Sequence, residues 1–115
     1  MRQLIEDLRK FVHERDWEQF HTPKNLAMAL SVEAAEIVEH FQWLTPDESQ
    51  TLGREKVDQV RDEIGDVLIY LVSLADRLGI DPLEAARGKL EKNRLRYPAD
   101  QVKGKSEKRS APGDS

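Results

Sequence analysis

No cysteine occurs in the 115 residues. Disulfides, thiolate metal sites and a cysteine nucleophile are therefore excluded for this chain. Long apolar runs are missing too. The longest, Val67 to Ala75, is far short of the roughly 20 residues that cross a bilayer, so no membrane partner is expected. The opening Met1-Arg-Gln-Leu-Ile-Glu-Asp7 is too charged for the apolar part of a signal peptide, which points to a soluble, cytoplasmic chain. Positive charge is not in excess. The net charge of −4 argues against broad polyanion binding, so no nucleic-acid partner is expected. No β-hairpin signal appears, nor any internal repeat beyond two carboxylate pairs described below.

What remains is helical. Apolar content of 38% beside 35% charged residues suits a small all-α domain with much solvated surface. The spacing predicts four helices. The first runs from about residue 2 to 16, with Ile5, Leu8, Phe11 and Val12 on one side. An aromatic connection, Arg15-Asp-Trp-Glu-Gln-Phe-His21, follows. The second helix opens at Thr22-Pro23, a capping residue before a first-position proline, and continues to about Trp43. Residues 44–53 read as a loop. The third helix covers about 54–78 and stops at Gly79. The fourth starts at Asp81-Pro82, with Glu84 at capping-box spacing, and stops near Tyr97-Pro98. Residues 1–97 hold 14 basic and 19 acidic side chains and form the expected domain. Residues 98–115 are rich in Lys, Ser, Gly and Pro, and read as a disordered polar tail.

The two carboxylate pairs are Glu33-x-x-Glu36 and Glu63-x-x-Asp66. Residues three apart share a helix face. Glu33 also stands at a core position, in the stripe Leu26, Leu30, Ile37 and Phe41. A carboxylate there loses hydration at a cost of several kcal/mol unless it is compensated. A hard divalent cation bound by several carboxylates, with Mg²⁺ the commonest in phosphate chemistry, provides that compensation. The third helix is expected to be central. Val57, Ile64, Leu68, Leu71 and Ala75 read as its apolar face, and Gln59, Glu63, Asp66, Tyr70, Ser73 and Arg77 as a polar one lining an internal cavity.

Two chemistries use carboxylate pairs on helices. A ferritin-like di-iron site needs Glu-x-x-His on two helices. Of the three histidines, only His21 has a glutamate three before it, and Glu18-x-x-His21 crosses the break at Thr22-Pro23. Mg²⁺-dependent work on a phosphate substrate needs all-oxygen ligands, with cations for phosphates and aromatics for a base. Lys89, Asn93, Arg96 and Tyr97 fall on or beside one face of the fourth helix. Trp17, Phe20 and Trp43 flank the Glu33-Glu36 helix.

These residues carry a resemblance. Asp16-Trp-Glu-Gln-Phe-His21, Glu33-x-x-Glu36, Phe41-Gln-Trp43, Glu63-x-x-Asp66-Val-Leu-Ile-Tyr-Leu71 and Asn93-Arg94-x-Arg-Tyr-Pro98 resemble the MazG-like nucleoside triphosphate pyrophosphatases, in particular the dCTP pyrophosphatase branch. The resemblance spans nearly all of residues 8–98. It implies an all-α four-helix bundle completed by oligomerisation, as a homodimer or homotetramer. It implies hydrolysis of the α–β bond of a nucleotide such as dCTP or a modified pyrimidine dNTP, with Mg²⁺ held by Glu33, Glu36, Glu63 and Asp66. Base contacts are implied for Trp17 and Trp43. Phosphate or sugar contacts are implied for Tyr70, Lys89, Asn93 and Arg94, and His21 and Tyr97 join the substrate-binding set. The branch often carries a histidine where this chain has Leu8, and segment 45–56 is altered relative to animal members.

The expected mechanism is metal-assisted hydrolysis. Glu36 at the cluster's edge is the candidate base toward water, and Lys89 and Arg94 stabilise phosphate charge. The alternative is a non-catalytic helical assembly module whose charged faces are only solvated. Metal-dependent release of pyrophosphate separates the two.

Overall fold

The structure is a computed structural model that describes residues 1–104. Its elements are α1 (Arg2–Glu14), a 3₁₀ turn (Glu18–Phe20), α2 (Pro23–Phe41), α3 (Pro46–Ser49), α4 (Arg54–Arg77), α5 (Pro82–Arg96) and α6 (Ala99–Val102). There is no strand among the described residues. The chain divides into two compact units, residues 1–80 and residues from 81 onward.

The first unit is an α2–α4 hairpin with α1 packed against α4. Local chemistry fixes where these helices begin and end. Thr22 caps α2 by accepting from the Asn25 N–H at 3.2 Å, and Pro23 takes the first turn. The Asn25 side chain donates to the Phe20 carbonyl at 3.1 Å, tying the 3₁₀ turn to α2. α1 and α4 end alike. Asp16 and Gly79 adopt left-handed φ values of 53° and 69°. The next N–H then reaches back to the helix: Trp17 donates to the Val12 carbonyl at 3.0 Å, and Ile80 to that of Ala75 at 2.8 Å. Asp16 does this without being glycine, as aspartate tolerates that region better than most residues.

The core is small. Leu26 of α2 and Val72 and Ala75 of α4 are its buried side chains. The α2 stripe reads as expected, since Leu30, Glu33, Ile37 and Phe41 are all half-buried beside Leu26. α4 differs from the expectation. Val57, Ile64, Leu68 and Leu71, read as its buried apolar face, are 41 to 54% exposed. The inward row is instead Lys56, Val60, Glu63, Val67, Tyr70 and Leu74. The reason is that Val67–Ala75 is apolar nearly all round. Hydrophobicity alone does not choose the face that meets α2.

Two further differences are local. Residues 44–53, expected as a loop, contain α3. Thr45 and Glu48 form a reciprocal capping box around Pro46, with contacts of 2.9 and 3.1 Å. The stretch expected as a disordered tail begins with the single turn α6, and residues 105–115 lie outside the described residues. The second unit is dominated by α5. Asp81 caps it, accepting from the N–H groups of Leu83 and Glu84 at 2.9 and 3.1 Å. No helix among the described residues is long and apolar enough to cross a membrane.

Candidate active site

Glu33 and Glu36 project from consecutive turns of α2 toward Glu63 on α4. One carboxylate oxygen from each lies within 4.8 Å of the others. All three side chains are half-buried. The Oε2 atoms of Glu33 and Glu63 are fully buried and meet no hydrogen-bond partner. Buried carboxylate oxygens normally find a donor, so two orphans in one cluster call for a cation. The protonation balance says the same. A hydrogen bond with Glu36, burial, and the charges of Glu36, Glu33 and Asp66 push Glu63 up to about 7. Glu33 is also raised, first by burial and then by Glu36 and Asp66. An all-oxygen, all-carboxylate donor set of this kind fits a hard divalent cation.

Asp66 stands one turn beyond Glu63. It is exposed and outside the three-oxygen cluster, yet near enough to raise Glu33 and Glu63. The structure therefore gathers three of the four carboxylates expected as ligands and leaves the fourth at their margin. Tyr70, a turn further, is half-buried.

A cavity of about 420 Å³ opens between α1, the 3₁₀ turn and α4. Leu8, Val12 and Val72 give it an apolar floor, and Ser73, Arg77 and His21 line it as well. Two ion pairs stand at its wall. Arg9 Nε donates to Asp76 Oδ2 at 2.9 Å, and a second nitrogen, Nη2, reaches Oδ1. This guanidinium holds the Asp76 carboxyl below its usual range. His13 Nδ1 meets Glu18 Oε2 at 3.0 Å, which raises the imidazole and lowers the carboxylate. Asp66, Ser73 and Arg77 recur at seven and four residues, so one face of α4 leads from the carboxylates to this cavity.

The two tryptophans differ. Trp17 is 42% exposed and packs edge-to-face on Phe11, with ring centres 5.8 Å apart, and tilted against His21 at 6.4 Å. Trp43, just past the end of α2, is 87% exposed. Lys89, Asn93 and Arg94 lie on α5, and Tyr97 is its C-cap, all in the second unit. There Arg94 pairs with Glu91 at 3.2 Å, the Tyr97 N–H donates to the Asn93 carbonyl at 2.8 Å, and Arg96 lies over the Tyr97 ring.

Sequence reasoning missed His40 and Lys56. His40 Nε2 lies 3.9 Å from Glu63 Oε1, and its Nδ1 is 3.3 Å from the Lys56 ammonium. The signal was present. His40 is four residues after Glu36 and seven after Glu33, and Lys56 is seven before Glu63, so all share the facing rows of α2 and α4. The Arg9–Asp76 pair left no such signal, because it depends on α1 docking against a helix some sixty residues away.

The sequence profile of the MazG-like family matches residues 28–110. The chain belongs to the MazG-like family. It is 45% identical over 111 residues to human dCTP pyrophosphatase 1, covering 90% of this chain and 65% of the relative, so it spans just under two thirds of that relative's length. The bovine dCTP pyrophosphatase 1 is 43% identical, with 87% and 63% covered. A pyrophosphatase crystal structure from Archaeoglobus fulgidus superimposes with a TM-score of 0.76 at 45% identity, covering 85% of this chain and 92% of that one. Glu33, Glu36, Glu63 and Asp66 of this MazG-like chain all fall within the matched segment.

Proposed function

We propose that this MazG-like chain is a Mg²⁺-dependent nucleoside triphosphate pyrophosphohydrolase of the nucleotide pool in the cytoplasm. Its substrate is dCTP or a base-modified pyrimidine dNTP, cleaved between the α and β phosphorus atoms to the monophosphate and pyrophosphate. The observation that carries this reading is the convergence of Glu33, Glu36 and Glu63, with two buried oxygens left without partners. The names of the relatives support the reaction and the nucleotide.

Glu33, Glu36 and Glu63 would hold the metal, with Asp66 closing the set from the margin. When bound, the cation supplies neutralisation of phosphate charge and a lowered water pKa. Glu36 accepts the proton of the attacking water at a carboxylate oxygen. Trp17 and Trp43 stack the base, and His21, which lines the cavity at α1, joins the substrate-binding set. Tyr70, Lys89, Asn93, Arg94 and Tyr97 contact phosphate or sugar, an assignment that rests on their motifs. Lys89 and Arg94 offset the charge that develops on the phosphates. Residues 1–97 carry this activity in a homo-oligomer, dimer or tetramer. The exposed Val57, Ile64, Leu68 and Leu71 on α4 support that assembly.

A panel of ordinary and base-modified dNTPs with Mg²⁺ tests the reading. Chromatography should find dCMP and pyrophosphate from dCTP. A diphosphate with inorganic phosphate, or no turnover of any nucleotide, would overturn it, and the latter would favour the non-catalytic assembly module.

A further inference from the structure

We propose that His40 is a positioning residue for Glu63, and that Lys56 sets its tautomer. The inference rests on the metal reading of the carboxylate cluster. An ammonium has donors and no acceptor. The 3.3 Å approach of Lys56 Nζ to His40 Nδ1 therefore requires Nδ1 to accept. With Nδ1 accepting, the donor of the ring is Nε2–H, on the atom that faces Glu63 Oε1 at 3.9 Å.

That distance is longer than a hydrogen bond. It still places a donor beside Oε1 and none beside Oε2. Glu63 is thus biased to the rotamer that keeps Oε1 toward His40, while Oε2 stays buried without a partner. The His40 side chain is only 16% exposed, so water competes little for this contact. Lys56 and His40 together bring cationic character behind Glu63 without entering the cluster. The same geometry rules His40 out as a ligand. Ligation through Nε2 would place the proton on Nδ1, against Lys56. Outer partners of metal-bound carboxylates generally orient the ligand and tune its affinity.

Amide side chains separate this role from packing. Glutamine places its NH₂ near the position of Nε2, and asparagine near that of Nδ1. Mn²⁺ affinity of the full-length chain, measured by calorimetry without nucleotide, should weaken roughly 10- to 100-fold in His40→Asn and His40→Leu. His40→Gln should stay within a few-fold of wild type. Circular dichroism should show all three folded. Lys56→Met should weaken Mn²⁺ several-fold. Long-range proton–nitrogen NMR should find His40 as the Nε2–H tautomer in the wild type and as a mixture in Lys56→Met. Equal affinities for His40→Gln and His40→Asn, or an Nδ1–H tautomer in the wild type, would overturn the inference and leave the metal reading intact. A wild-type chain that takes up no Mn²⁺ would overturn the metal reading, and this inference with it.

Discussion

Glu33 on α2 and Glu63 on α4 each bury an Oε2 atom that meets no hydrogen-bond donor, and the two carboxylates converge between one pair of helices. Two helices that pack through carboxylates rather than away from them are held together at an electrostatic cost. That cost has a sign that can be measured.

Without metal, Glu63 titrates at about 7 when folded, against an ordinary value of 4.5. The folded chain keeps a proton that the unfolded chain has released. This contribution to stability is complete below 4.5 and is lost as pH rises through about 7. Glu33 acts in the same direction. His13, raised by Glu18, does so as well at higher pH, so the comparison must be between variants. Glu63→Gln should flatten the fall in melting temperature between pH 5 and 7.5. At pH 7.5 without metal it should melt above wild type. Parallel melting curves across that range would refute the assigned shift.

The exposed row Val57, Ile64, Leu68 and Leu71 predicts self-association. Light scattering at micromolar concentration should give the mass of a dimer or tetramer. Ile64→Asp with Leu68→Glu should shift it toward the monomer. A monomeric wild type would remove the assembly from the proposal.

Trp43 touches little of its own chain, so Trp43→Leu should change stability by no more than about 0.5 kcal/mol. Loss of one stacking partner should weaken dCTP binding by about 1–3 kcal/mol. With Ca²⁺ in place of Mg²⁺, dCTP should quench tryptophan emission in a saturable way. Binding by calorimetry with no quenching would take both tryptophans out of the site.

Arg9 and Asp76 join α1 to α4 through two contacts. The Arg9 side chain is largely exposed, so solvent screens the pair and it acts as a surface ion pair. Asp76→Asn should lower the melting temperature by a small amount near neutral pH. Asp76 is depressed below 3.8, so its contribution is present above that value and lost as pH falls through the folded value. The difference between the two proteins should therefore vanish in acid. A difference that persists there would mean that packing, not charge, is at work.

Much of this architecture was legible in the residues. The caps at Thr22-Pro23 and Asp81-Pro82 and the stop at Gly79 marked helix ends because each solves a local hydrogen-bond or dihedral problem. Glu33 stood out because a carboxylate interrupted an apolar stripe, and it is half-buried with its Oε2 atom unpartnered. The orientation of α4 was not legible. Its inward row alternates Lys56, Val60, Glu63, Val67, Tyr70 and Leu74, which no hydrophobicity scale selects over the richer apolar row beside it. His40 has Ile37 rather than a glutamate three before it, so no ligand motif marks it, and its partners come from another helix. The cavity wall of Arg9, His13, Glu18 and Asp76 depends on where α1 docks, which local periodicity does not encode.

Pyrophosphate release from dCTP by wild type and Glu63→Gln, side by side over a Mg²⁺ titration, bears most directly on the carboxylate cluster. Wild type should show saturable, Mg²⁺-dependent release that a chelator abolishes. Glu63→Gln should fall to background at every Mg²⁺ concentration while its circular dichroism stays that of a folded helical protein. Wild-type turnover by Glu63→Gln at low Mg²⁺ would contradict the assignment of Glu33, Glu36 and Glu63 as the metal centre.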